Sequence, residues 1–164
     1  MAVWQFKFSL IPTSGIIGVH GRLVRALPEY AAARPGGPVD GGEDAQFVNY
    51  WEKAAMKPAS LQPIMQLLPP TKSWSPDAKM FGDSEGDQIE VWDDDINCAL
   101  DLRTFSKELL TAIVQLASSA QCKLVLHGTG EVVEPDLQAV LDKILASDAY
   151  SFCASPAKFL REKG

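Results

Sequence analysis

Two short stretches of alternating apolar and polar residues, 88–92 and 96–103, flank three consecutive aspartates, and this pattern constrains the chain more than any other. Side chains of a strand alternate between faces, so each stretch offers one apolar and one polar face. Two such runs with only Asp93, Asp94 and Asp95 between them predict a hairpin with a charged tip. A three-residue turn would place Glu90 beside Cys98 on one face. An even loop of two or four residues instead pairs Ile89 and Val91 with Leu100 and Cys98, and gathers Glu90, Trp92, Asn97 and Asp101 on the other face. Slipping by one residue would send every side chain to the wrong face, so the even loop is the expected one.

The other elements follow from the same periodicities. Residues 2–11 alternate, with Trp4, Phe6, Phe8 and Leu10 against Gln5, Lys7 and Ser9, which predicts a half-buried strand ended by Pro12 and Gly15. Residues 22–33 could be helical. The run 34–42 is rich in Gly and Pro, and 13–42 as a whole is expected as a long, weakly ordered insertion. Phe47, Tyr50, Trp51 and Ala54 stand at helical spacing in 43–55, as do Leu61, Ile64, Met65 and Leu68 in 60–68 before Pro69 and Pro70. Residues 71–76 form a turn-rich segment carrying the isolated Trp74. Thr104 is placed to cap a helix over 105–120 whose stripe is Phe105, Leu109, Ile113, Leu116 and Ala120. Residues 123–127 and 131–133 suggest strands turned by Gly128 and Gly130. Pro135 opens a helix striped by Leu137, Val140, Leu141, Ile144 and Leu145. Residues 149–153 are expected as a last edge strand, and Ser155 and Pro156 begin a short helix.

Hairpins separated by helices, rather than alternating βαβ units, predict an α+β fold. We expect a mainly antiparallel sheet of four to five strands with helices packed on it, in one domain over residues 1–164. At 164 residues and 46% apolar content the chain can bury a substantial core.

Charge narrows the function classes. The net charge of −6 comes without a Lys/Arg cluster, which argues against nucleic acid and anionic membrane partners. The N-terminus lacks the order of a secretory leader. Cys98, Cys122 and Cys153 are too dispersed for a disulfide framework or a zinc site, so a reducing cytoplasm is expected.

Candidate chemistry is sparse. Gly15, Gly18 and Gly21 follow a strand in the manner of a phosphate cradle, without the spacing or the lysine of a nucleotide loop. His20 and His127 have no neighbouring ligand or nucleophile in sequence, so neither a metal nor a cofactor is expected, and His127 stands as a candidate general base. Between Asp77 and Asp101 nine carboxylates face the single Lys79, in an order that does not match a calcium loop. Such a run is either a solvated surface or one that attracts a basic protein. Trp92, Asp101 and Arg103 share the hairpin's polar face, and Trp and Arg are enriched at binding hot spots. The partner-binding candidates are therefore Trp92, Asp93, Asp94, Asp95, Asp101 and Arg103. The competing expectation is a small enzyme or small-molecule binder with a pocket near His127, Asp101 and Arg103.

In its pattern over residues 44–162 the chain resembles small bacterial proteins of unassigned or immunity type, encoded as antidotes to secreted toxins. The resemblance lies in Lys72, Ser73 and Trp74, in the hairpin ending at residues 100–103, and in residues 147–152 with 156–160. It implies a stoichiometric, non-catalytic inhibitor that binds a toxin, and it assigns no functional residue.

Overall fold

The first strand carries apolar side chains inward and finds its polar side chains covered as well. In a computed structural model describing residues 2–31, 48–55 and 58–163, β1 (Gln5–Pro12) is the fifth of seven strands in one antiparallel sheet. It runs into α1 (Thr13–His20) and, after a loop, α2 (Pro28–Ala31). Next come α3 (Gln62–Leu67), β2 (Pro70–Thr71), β3 (Lys79–Gly82), β4 (Gln88–Val91) and β5 (Ile96–Asp101). The chain continues through α4 (Lys107–Ser119), β6 (Cys122–Leu126), β7 (Val132–Val133), α5 (Leu137–Leu145), α6 (Asp148–Ala154) and α7 (Pro156–Lys163). The sheet order is β2-β3-β4-β5-β1-β6-β7.

The fold is α+β, but the sheet has seven strands where four to five were expected. The additions are β2 and β3. They span two and four residues, too short for alternation to register, and Met80 and Phe81 of β3 are both buried although they point to opposite faces.

Helices α3, α4 and α5 cover one face. Phe6, Phe8 and Leu10 meet Ile89, Cys98, Leu100 and Leu124 there, under Ile64 of α3, Leu110 and Ile113 of α4, and Val140 and Ile144 of α5. A smaller apolar cluster on the opposite face joins Ile11 and Val125 to Ile16, Leu27 and Tyr50. β1 is therefore buried on both faces, and Gln5 and Ser9, expected toward solvent, are buried.

The hairpin has its even loop, the four residues 92–95. Ile89 lies opposite Cys98 and Val91 opposite Ile96, two residues from the expected pairing. Trp92 N–H donates to the Asp95 carbonyl at 2.8 Å and closes the loop earlier. A displacement of two keeps every side chain on its intended face.

Several boundaries differ for local reasons. Residues 13–31, expected as part of a weakly ordered insertion, contain α1, α2 and the buried Leu27, while 32–47 lie outside the described residues. The helix expected over 43–55 is absent from its described part, 48–55, where the Asn49 side chain accepts from Trp51 N–H at 2.9 Å and turns the chain. Gly15 sits inside α1, where a Cβ would lie 2.0 Å from the Tyr50 carbonyl oxygen. Close approach of two segments thus explains a glycine that the sequence offered to phosphate. The α4 cap is Ser106, whose hydroxyl accepts from Leu109 N–H at 3.2 Å; Thr104 is held in a preceding 3-10 turn and Phe105 is 38% exposed. Residues 149–153 are helical, because Ser147 caps α6 by accepting from Tyr150 N–H at 3.1 Å. Among the described residues, no helix is long and apolar enough to cross a membrane.

Leu110 is fully buried at the centre of the helix-covered face. Leu110→Ala should lower the unfolding free energy by about 2–5 kcal/mol, read from urea denaturation, whereas Leu160→Ala on exposed α7 should change it by less than about 0.5 kcal/mol.

Candidate partner-binding surface

The chain after β2 is folded by its serines. Ser75 N–H donates to the Ser73 hydroxyl at 3.1 Å and Asp77 N–H to the Ser75 hydroxyl at 3.2 Å, two successive side-chain turns. They hold Trp74 out from the sheet, 75% exposed. Its ring meets that of Trp92 at 5.2 Å between centroids, tilted by 57°. The Trp92 indole N–H donates to Glu90 at 3.2 Å, which leaves the carboxylate alongside the aromatic pair. The pair thus forms an exposed apolar body with a carboxylate at its border.

The aspartate trio divides. Asp93 is exposed and Asp94 half-buried at the tip. Asp95 turns back over the sheet and accepts from Ile96 N–H at 2.9 Å. Burial pushes its carboxyl up to about 6, against the lowering effect of the Ile96 amide, with Asp94 and Glu90 adding repulsion. The exposed carboxylate of the tip is thus Asp93, with Asp94 half-buried and Asp95 turned back to the Ile96 amide.

Asp101 and Arg103 do a different job from Trp92. Asp101 is 4% exposed and accepts from Arg103 through the backbone N–H at 2.9 Å, Nε at 3.0 Å and Nη2 at 2.8 Å. Those bonds hold its carboxyl below the usual carboxylate range. Arg103 also donates to the Glu85 carbonyl at 3.1 Å and lies 4.1 Å above the Trp4 ring. Trp4 donates to the same carbonyl at 3.0 Å, Gln5 to Ser84 at 3.1 Å and Gly86 at 2.6 Å, and Asp101 N–H to Asp87 at 2.7 Å. Together these groups fasten the turn between β3 and β4. They act as internal clasps, with the Arg103 side chain half-exposed over the buried Asp101.

A second gathering of polar and titratable groups lies on the sheet face opposite the main core, and no sequence spacing announced it. Ser9 Oγ donates to Asn97 Oδ1 at 2.7 Å and stands 2.8 Å from His127 Nε2. With its one hydrogen given to Asn97, Ser9 accepts from the imidazole N–H. His127 stacks on Tyr30 at 5.9 Å between centroids. Beside them the Tyr50 hydroxyl donates to Glu29 and lies 3.0 Å from His20 Nε2. Burial raises both tyrosines well above their usual range, with Asp95 adding to Tyr30 and Glu29 to Tyr50. Burial, with the Lys7 charge, pushes His127 down to about 4.

The chemistry this network can perform is limited. A serine nucleophile needs a histidine that takes its proton and an approach for substrate. Ser9 is 0% exposed, and its proton goes to Asn97 rather than to His127. An imidazole held near 4 is also a weak base at neutral pH. The network is a hydrogen-bonded layer beneath the hairpin in which the His127 imidazole is neutral. His127 belongs to it, while Asp101 and Arg103 belong to the β3–β4 clasp. Cys98 and Cys122 are free thiols packed in the core, with Cys122 pushed up to about 12 by burial, and Cys153 is half-buried. Among the described residues, no three His, Cys, Asp or Glu side chains are arranged to hold a metal ion.

Comparison of the chain with protein-family models, with curated proteins and with solved structures finds no match.

Asp95 and His127 give stability opposite pH slopes. As pH rises from 3.8 toward about 6, Asp95 ionises in the unfolded chain but keeps its proton in the folded one, so stability falls. As pH falls from 6.5 toward about 4, His127 takes a proton only in the unfolded chain, so stability falls in that direction. In the native protein the two nearly cancel between pH 4 and 6. Denaturation of Asp95→Asn should therefore show stability rising with pH relative to the parent over this window, and His127→Gln should show it falling, each by on the order of 2–3 kcal/mol. Parallel curves for parent and variants would remove the basis for this.

Proposed function

We propose that the chain is a non-catalytic protein-binding module of the toxin-neutralising, immunity type, which engages a basic partner through Trp74, Trp92 and the acidic hairpin tip. The observation that carries this reading is Trp74, 75% exposed and braced against Trp92. Around the pair stand Glu90, Asp93 and Asp94, within a stretch of nine carboxylates and one lysine from Asp77 to Asp101. An exposed tryptophan on a rigid support has little side-chain entropy left to lose on docking, and surrounding charge of one sign steers an oppositely charged partner. The buried Ser9 and neutral His127 support a binding rather than a catalytic reading of the face behind it.

The test is co-expression with the product of the adjoining reading frame, followed by titration of any complex. Trp74→Ala should weaken it by about 2 kcal/mol, roughly 30-fold. Asp93→Lys should slow association and reduce its dependence on salt. Equal affinity for the parent and both variants would overturn the assignment.

A further inference from the structure

The turn between β3 and β4 has a clasp on one side and an open hollow on the other. In the clasp, the Arg103 guanidinium rests on the Trp4 ring, pairs with Asp101 and donates to Glu85. The hollow, about 710 Å³, is lined by Trp74, Lys72, Met80, Asp83, Asp87 and Gln88, among others. It offers the same kinds of group, an indole and carboxylates, without the arginine. Asp87 is half-buried, spends Oδ1 on Asp101 N–H, and has no ion pair among the described residues; nor does Asp83. Two carboxylates against Lys72 leave the hollow with one net negative charge.

We propose that this hollow takes one guanidinium side chain from a protein partner, stacked on Trp74 and paired with Asp87. The proposal rests on the binding-module reading and names the anchor it would use. A guanidinium fits better than an ammonium because it is planar, weakly hydrated and able to stack and donate at once. Gly82 at the floor has φ +82, and a Cβ there would lie 2.1 Å from the Asp87 carbonyl oxygen, so the turn that presents Asp87 is tightly fixed.

The probe is N-acetyl-arginine methylamide, titrated into the full chain and followed by NMR. Shifts are expected at the Trp74 indole N–H and the Gly82 and Gln88 amides, saturating on the order of millimolar. The lysine analogue should bind about threefold to tenfold more weakly, and so should the arginine probe to Trp74→Ala or Asp87→Asn. Asparagine keeps the carbonyl oxygen that receives Asp101 N–H, so Asp87→Asn removes charge while preserving the turn, and an unchanged amide spectrum elsewhere checks this. Absent shifts in the parent, or equal shifts in both variants, would overturn the pocket. If they are absent while Trp74→Ala still abolishes partner binding, this inference fails and the module reading stands. If the probe binds and partner affinity ignores Trp74, the pocket stands and the module reading fails.

Discussion

Everything in this fold is arranged around a central strand that is buried on both faces. Phe6, Phe8 and Leu10 fill the helix-covered side, and burial of groups that size contributes roughly 1.5–3 kcal/mol each. The opposite side carries Gln5 and Ser9, whose polar atoms would cost about 1–3 kcal/mol apiece if left unpaired. Both are satisfied by remote segments, Gln5 by the β3–β4 turn and Ser9 by Asn97 and His127. The need to pair two buried polar groups therefore dictates where that turn and the end of β6 must sit.

That requirement also explains why the hairpin has a soft outer edge and a firm inner one. Asp95 is largely desolvated, which raises its carboxyl to about 6 beside the charges of Asp94 and Glu90. Asp93 and Asp94 remain toward water, and Trp92 leaves the strand to meet Trp74. A hydrogen-bonded base beneath an acidic, aromatic rim is a stable way to present charge, because repulsion among carboxylates is relieved outward into solvent. The Asp101–Arg103 pair serves the same end from the other side of the turn. Its exposed cation adds little by itself, while its hydrogen bonds hold the loop that displays Asp87.

The candidate site was legible in part. Trp92 and the aspartates stand out because an indole and a run of one charge are unusual on a polar strand face. Trp74 was visible as an isolated aromatic, but only its packing on Trp92 shows it as the more exposed of the pair. Ser9, Asn97 and His127 carry no spacing signal, since strands 88 and 118 residues apart bring them together. Asp87 gave no sign of its role, which depends on a backbone amide 14 residues away.

Sequence by itself determined the α+β class, the even hairpin loop, the turn at Gly128 and Gly130, and the stripes of α4 and α5 apart from the exposed Phe105 and Leu145. Each follows from a repeat of two or 3.6 residues, or from local turn chemistry, acting within a few positions. Tertiary structure alone decided the two extra strands, the burial of the polar side of β1 and the helical state of residues 148–154. It also decided the division of the aspartates into an exposed Asp93 and the half-buried Asp94 and Asp95. In each of these, local preference was weak or shared between two states, and the balance was set by which distant groups removed water from the segment or completed its hydrogen bonds.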